Sequence, residues 1–244
     1  MLKLPQWIVT DLDETLLHRD RSISVRSLKA IGKIRQKGSR FAIATTRNQA
    51  MAQRYIDELA PDAMVISGGA LAKIGDEIVY RMPIDAGDVD SLIPYFQSSP
   101  YVADLVLDSP DGRFGREQTI ELPFRHDVLS MFVWIDTEHA ESIVSVLRDR
   151  VTVTHLWEPG MYRISHVRAT KHDALKVLLQ DIPSDEVVCF GDDLMDVGML
   201  GHFHGIAVNN ALQEAKLVAK QITDSHEKDG VAKYLEAMLA NVTA

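Results

Sequence analysis

Gln6-Trp7-Ile8-Val9-Thr10-Asp11-Leu12-Asp13-Glu14-Thr15-Leu16-Leu17 is the stretch on which the reading of this chain turns. A short apolar run feeds straight into two carboxylates, so Gln6 to Thr10 is expected as a strand with Asp11 and Asp13 just past its end. In open parallel sheets ligands collect outside the carboxyl ends of the strands, which makes acids placed there the first candidates for a site.

Working outward, short apolar runs alternate with segments of helical period, the pattern of βαβ units around a parallel sheet. Ser24 can cap a helix whose Leu28, Ile31 and Ile34 recur at helical spacing, with Gly38 as its stop. Phe41 to Thr45 follows as a strand, Asn48 caps a helix that ends before Pro61, and Ala63 to Ser67 is a third strand before the Gly68-Gly69 turn. The pattern changes between about Tyr80 and His166. There Pro83, Pro94, Pro100, Pro110 and Pro123 break the chain, and the strands read as hairpin members. Ser130 to Asp136 is expected as a strand, Glu138 to Arg148 as a helix, and Val151 to Trp157 as a strand pairing with Met161 to Ser165 across Glu158-Pro159-Gly160. The parallel pattern then returns. A helix opens at Thr170 and runs through Gln180, Val187 to Phe190 is a strand, a helix begins at Asp196 to Leu200, and Ile206 to Val208 is a strand. Helices over Asn210 to Lys220 and Gly230 to Leu239 complete the count. The expected architecture is α/β: a Rossmann-like doubly wound parallel sheet core from residues 1–81 and 167–244, with an inserted α/β cap at 82–166.

A chain of 244 residues with 46% hydrophobic and 25% charged residues can bury a sizeable core. Its formal charge of -9 argues against nucleic acid or an anionic membrane as partner, because both need a basic surface. Cys189 is the single cysteine, so an intrachain disulfide or a multi-cysteine metal site is excluded, in keeping with a reducing compartment. Trp7-Ile8-Val9 is too short for the apolar core of a signal peptide, and no run reaches transmembrane length. A cytoplasmic location is the expectation.

Four groups of polar residues fall where core strands end or helices start: Asp11 with Asp13, Thr45 with Arg47, Lys171, and Asp192 with Asp196. Singly, each has an ordinary structural explanation as a turn cap or a solvated charge. Together they are crowded carboxylates, which repel and raise one another's pKa unless a cation or lysine neutralises them. A hard divalent ion suits such oxygen ligands, and magnesium needs only two or three carboxylates beside a substrate phosphate. No histidine or cysteine cluster competes for a softer metal.

Asp11-Leu12-Asp13-Glu14-Thr15-Leu16-Leu17 resembles the nucleophile motif of haloacid dehalogenase-like phosphatases, DxDGTLL, with Glu14 in place of the usual glycine. Ala44-Thr45-Thr46-Arg47 is similar to the family's ATGR motif, Lys171 in Ala169-Thr170-Lys171-His172-Asp173-Ala174-Leu175 to its lysine motif, and Gly191-Asp192-Asp193-Leu194-Met195-Asp196 to its metal motif GDxxND. Ala207-Val208-Asn209-Asn210-Ala211 and Gly230-Val231-Ala232 are similar to the C-terminal pattern of the class IIB, Cof-like branch. Thr46, Gly68 where the branch often has asparagine, and Met195 are further departures.

The roles that follow are those of a magnesium-dependent phosphomonoesterase. Asp11 would attack phosphorus and form an aspartyl-phosphate; Asp13 would protonate the leaving alkoxide and then deprotonate water. Thr45 and Lys171 would bind the phosphoryl group, and Lys171 would hold Asp11 ionised. Asp11, the backbone carbonyl of Asp13, Asp192 and Asp196 would hold Mg2+, with Asp196 acting directly or through water. Arg47, Thr46 and Asn210 are further substrate-binding candidates, although Arg47 can equally be a surface residue and Asn210 a helix cap. In the cap, Trp157, Tyr162, Arg113, Arg116 and Arg163 would form a sugar or second-anion subsite unless they are core or solvated, which is the commoner fate of such residues. A helix through Asp192 to Asp196 would set Met195 on the metal side of the turn. The resemblance implies small sugar phosphates and related phosphorylated metabolites as substrates, with the cap closing over them and choosing among them. A phosphomutase or a non-catalytic phosphosugar sensor would share these motifs. A receiver-like signalling domain would share the acids but needs no insertion.

Overall fold

The computed structural model describes residues 3–117, 127–156 and 158–243; Pro123 and Trp157 lie outside them. The first strand, β1 (Trp7–Thr10), is buried along its whole length. Helix α1 (Val25–Gln36) starts where Ser24 accepts a hydrogen bond from the Ser27 amide, and it buries Ser27, Ala30, Ile31 and Ile34. Leu28 is only half-buried, since the inward stripe runs through Ser27, Ala30, Ile31 and Ile34. β2 (Arg40–Ala44) leads to α2 (Gln49–Leu59), capped by Asn48 through the Met51 amide and closed by left-handed Ala60 just before Pro61. β3 (Ala63–Ile66) ends in a 3-10 turn, Ser67–Gly69, and the chain then makes two strands that the sequence pattern does not announce, β4 (Leu71–Ile74) and β5 (Glu77–Arg81). Both are short, and only Leu71, Ala72 and Tyr80 are buried along them, too few to show a period.

Residues Arg81–Ala169 form a compact unit of their own. It contains α3 (Ala86–Ser98), β6 (Val102–Ser109), β7 (Gly112–Gly115), β8 (Ser130–Ile135), α4 (Ala140–Val144), β9 (Thr152–His155) and β10 (Met161–Ser165). Its five strands pair antiparallel in the order β7-β6-β8-β10-β9. Pro94, expected to break the chain, lies inside α3. An interior proline costs roughly 3 kcal/mol, whereas Val89, Leu92, Ile93 and Phe96 at helical spacing are all buried, each contributing about 1.5–3 kcal/mol, so packing overrides the breaker. The helix expected from Glu138 to Arg148 is one short α-turn, Ala140–Val144, running into a 3-10 turn, Ser145–Leu147.

The subsite suggested for this unit is not assembled from its arginines. Arg163 is 1% exposed, and burial lowers its pKa to about 10 against the opposing charge of Asp108. Arg113 pairs with Asp108 at 2.9 Å, and Arg116 donates to the carbonyls of Val102 and Gln97. Tyr162 packs against the unit's own apolar core.

The second unit comprises Met1–Tyr80 and Thr170–Ala244. Its returning segment carries α5 (Lys171–Leu178), β11 (Val187–Gly191), α6 (Val197–His202), β12 (His204–Ala207), α7 (Gln213–Val218), β13 (Gln221–Ile222) and α8 (Gly230–Thr243). The eight-stranded order is β13-β12-β11-β1-β2-β3-β4-β5, parallel from β13 to β3 and antiparallel at β4. The chain thus winds outward from β1 toward β2 and β3, and later from β11 toward β12 and β13. This is a doubly wound α/β sheet whose topological switch point lies between β1 and β11. Among the described residues no helix is long and apolar enough to cross a membrane.

Candidate active site

The switch point is where the acids gather. Thr10 pairs with Phe190 in the β1–β11 ladder, and the Asp11 amide donates to the Phe190 carbonyl at 3.0 Å, so Asp11 leaves β1 beside the end of β11. Lys171 is the first residue of α5, whose N-cap Thr170 accepts from the Asp173 amide. Its ammonium is 2% exposed and donates to Asp11 Oδ1 at 2.6 Å and Asp196 Oδ1 at 2.7 Å. Gly69 makes that placement possible: at φ 96 a Cβ there would lie 2.1 Å from the Thr170 carbonyl carbon, so only glycine lets the turn after β3 press on the start of α5. A Cβ on Gly191 would likewise sit 2.6 Å from the Asp196 side chain.

Asp196 reaches the site by a different route from the one expected. No helix runs through Asp192 to Asp196; Asp193 accepts from the Leu194 amide and caps a 3-10 turn over Leu194–Asp196, with α6 following. Asp196 Oδ2 turns back to accept from the amides of Asp192 (2.9 Å) and Asp193 (3.2 Å). The i,i+4 face on which Met195 was to approach a metal is therefore absent, and Met195 is a half-buried residue of the 3-10 turn. Thr15, which the sequence reading left without a role, donates to Asp192 Oδ1 at 2.6 Å.

One oxygen each of Asp11, Asp192 and Asp196 lies within 4.8 Å of the others. Three carboxylates and one ammonium leave a surplus of negative charge in a place with little water. Burial pushes the Asp11 carboxyl well above the ordinary range; Lys171 opposes the rise, while Asp196 and Asp192 add to it. Burial, then Asp196, raises Asp192 to about 7, against the hydrogen bond from Thr15. Burial disfavours the Lys171 ammonium, yet the adjacent charges of Asp11 and Asp196 outweigh it and hold the proton more firmly than in water. A hard divalent cation fits this all-oxygen donor set, since it supplies the missing positive charge.

Asp13 is half-buried, and both of its oxygens are held by Arg47: Nη2 to Oδ1 at 2.6 Å and Nε to Oδ2 at 2.8 Å. Arg47 also lies 5.1 Å over the Tyr55 ring. Arg47, one of the substrate-binding candidates, is thus paired with a carboxylate two residues from Asp11. Thr45 is fully buried at the end of β2; its hydroxyl oxygen accepts from the Arg47 amide at 3.2 Å, which leaves its own O–H to donate, and Thr46 beside it is half-buried. Asn210 is not a helix cap. The helix begins only at Gln213, and the Asn210 amide is spent on backbone, donating to Glu14 O at 2.8 Å and accepting from the His226 amide at 3.0 Å. Glu14 itself is left-handed at φ 56, a conformation that costs a non-glycine residue about 1–2 kcal/mol.

The model of the haloacid dehalogenase-like hydrolases matches residues 8–126 and 116–235. Among curated relatives, a phosphoglycolate phosphatase of Pyrobaculum aerophilum is 28% identical over 96% of this chain and 95% of its own length. A 5-amino-6-(5-phospho-D-ribitylamino)uracil phosphatase of Bacillus subtilis is 25% identical over 95% of this chain and 97% of its own. Among solved structures, a haloacid dehalogenase subclass IIB sugar phosphatase superposes with a TM-score of 0.77 at 20% identity, covering 96% of this chain and 98% of that one; this likeness is one of fold. The chain belongs to the haloacid dehalogenase-like hydrolase family. Within it, it is a phosphatase of the Cof-like kind.

Proposed function

We propose that the chain is a magnesium-dependent phosphomonoesterase that works through an aspartyl-phosphate on Asp11 and acts on small phosphorylated metabolites, sugar phosphates above all. The observation that carries this reading is the set of buried Asp11 and Asp196 and half-buried Asp192 around Lys171 at the switch point of the sheet. Magnesium, held by Asp11, the Asp13 carbonyl and Asp192, would neutralise the phosphate and the carboxylates around it. Asp196 has Lys171 on one oxygen and two backbone amides on the other, so its part is to fix Lys171 and the Asp192 turn.

In the first half-reaction an Asp11 oxygen forms the bond to phosphorus as the ester P–O bond breaks, and Asp13 gives its proton to the departing alkoxide. In the second, Asp13 takes a proton from water, the water oxygen bonds to phosphorus, and the acyl-phosphate P–O bond breaks to return Asp11 as carboxylate and release phosphate. Lys171 and the Thr45 hydroxyl donate to phosphoryl oxygens throughout. Every residue in this scheme lies outside Arg81–Ala169, so that unit is assigned the choice of substrate. The names of the two relatives, both phosphatases of small phosphorylated compounds, support the substrate class.

The test is phosphate release from a panel of phosphate esters with Mg2+ or with EDTA. Release that requires Mg2+, with no isomerised phosphate ester among the products, is expected. A sugar phosphate isomerised without net release would make the chain a mutase, and tight ester binding without turnover in Mg2+ would make it a sensor.

A further inference from the structure

Glu14 follows the proposed acid/base and adopts a left-handed backbone that glycine would accept without strain. The chain nevertheless keeps a side chain there, and its surroundings give the reason. The Glu14 carbonyl accepts from Asn210 Nδ2 at 2.8 Å, and Asn210 Oδ1 accepts from the His226 amide at 3.0 Å. The His226 ring, 5% exposed, places Nδ1 3.2 Å from Glu14 Oε2, out of line for a hydrogen bond, and among the described residues Nδ1 has no hydrogen-bond partner. A buried ring nitrogen left unsatisfied is costly, and the Glu14 carboxylate needs only a small shift to meet it. Three residues therefore close a ring: Glu14 backbone to Asn210, Asn210 to the His226 backbone, and the His226 ring to the Glu14 carboxylate.

The same 3-10 turn, His226–Lys228, with its flanking residues grips the loop elsewhere. Glu227 Oε1 accepts from the Arg19 amide at 2.6 Å and lies 3.4 Å from His226 Nε2, and His18 Nε2 is 3.0 Å from Asp229 Oδ1. We propose that Glu14, Asn210 and His226 form a latch that fixes the turn carrying Asp13, which makes Glu14 and His226 positioning residues for the proton transfer. Arg47 holds the Asp13 carboxylate from one side, and the latch holds its backbone from the other. The inference rests on the reading of Asp13 as acid/base. It predicts that the side chain at position 14 is kept for alignment at some cost to the backbone.

The experiment compares wild type with Glu14→Gly, His226→Ala and the double variant. Glu14→Gly relieves the strained backbone, so its thermal midpoint should equal or exceed that of wild type, yet kcat should fall by about 10- to 100-fold, the scale on which misplaced catalytic groups act. KM should stay within about two-fold, and the loss should be larger for alkyl than for aryl phosphates, since protonation of the leaving group is what the latch serves. The double variant should be no worse than the worse single one, because either change opens the same ring. Wild-type kcat in Glu14→Gly, equal losses for both ester types, or losses that multiply in the double variant would overturn the latch. Amide hydrogen exchange over residues 13–20 gives a readout independent of turnover: His226→Ala should speed it. If wild type hydrolyses no ester, the phosphatase reading fails on that result alone; unchanged exchange in His226→Ala overturns the latch whatever the activity.

Discussion

Replacing Lys171 with methionine keeps a flexible side chain of similar length in a 2% exposed position, so the change removes a charge and opens little space. It leaves Asp11 and Asp196 without the ammonium that now bonds both, at 2.6 and 2.7 Å. Breaking a buried ion pair by deleting one partner costs about 3–5 kcal/mol, which for a domain of this size corresponds to a fall of roughly 6–20 °C in Tm. The loss must also depend on pH. Asp11 already has a raised carboxyl pKa, and Lys171 is the main influence opposing that rise. Without the lysine the folded pKa climbs further above the unfolded one, so the folded form gains from protonation in acid and loses that gain as pH rises through the folded value. Urea unfolding of metal-free protein, followed by circular dichroism at about pH 5 and pH 8, should show the larger deficit at pH 8. A deficit at pH 8 below about 1 kcal/mol, under the usual cost of one unpaired buried charged group, or an equal deficit at both pH values, would refute the account of Lys171 as the counter-charge of this site.

Asp11→Asn should keep the circular dichroism spectrum and lose turnover, because the amide accepts similar hydrogen bonds but cannot attack phosphorus; activity above a tenth of wild type, measured by phosphate release, would remove Asp11 as nucleophile. Asp13→Asn should lower kcat by roughly 10²- to 10⁴-fold, the usual worth of a positioned acid/base, with a smaller loss for aryl than for alkyl phosphates. Metal-free wild type should lose stability as pH rises from about 5 to 8, since Asp192 is raised to about 7 and Asp11 is raised as well, so the folded state gives up protons in that window that favoured it. Mg2+ should then raise Tm more at pH 8 than at pH 5, where protons compete for the carboxylates, and equal gains against an EDTA control would contradict that linkage.

Much of the core was legible because its elements carry strong local signals. Four buried residues in a row mark β1, and Ser24, Asn48 and Thr170 announce α1, α2 and α5 through side-chain caps that the structure contains. The acids at the switch point were legible for the same reason, as polar residues set against the ends of apolar runs. What escaped the sequence reading depends on tertiary contact. Pro94 sits in α3 because the helix buries an apolar face, a sum that no single residue displays. The short β4 is defined by its place beside β3, and β5 by its place beside β4. Thr15 and Gly69 owe their roles to Asp192 and Thr170, far away in the chain. The surroundings of Met195 and Asn210 differ because a helix through Asp192 to Asp196 was considered and one from Asn210 onward expected, where a capped 3-10 turn and a backbone-bonded turn stand instead.

The neighbouring strands at the switch point are also the two that lie far apart along the chain: Trp7 pairs with Val187. During synthesis the edge of β1 that will receive β11 has no partner until residues beyond the inserted unit have emerged, a wait of roughly ten seconds or more at ordinary elongation rates of about 5–20 residues per second. Closing so long a loop makes the parallel pairing a late step of folding. Until then Asp11 stands without Lys171 or Asp192. Arg81–Ala169, with its own apolar interior, can order itself during that interval. The nascent chain can therefore carry an ordered middle beside an open, strand-edged beginning, and Asp11 meets Lys171 and Asp192 only when the last third of the polypeptide returns.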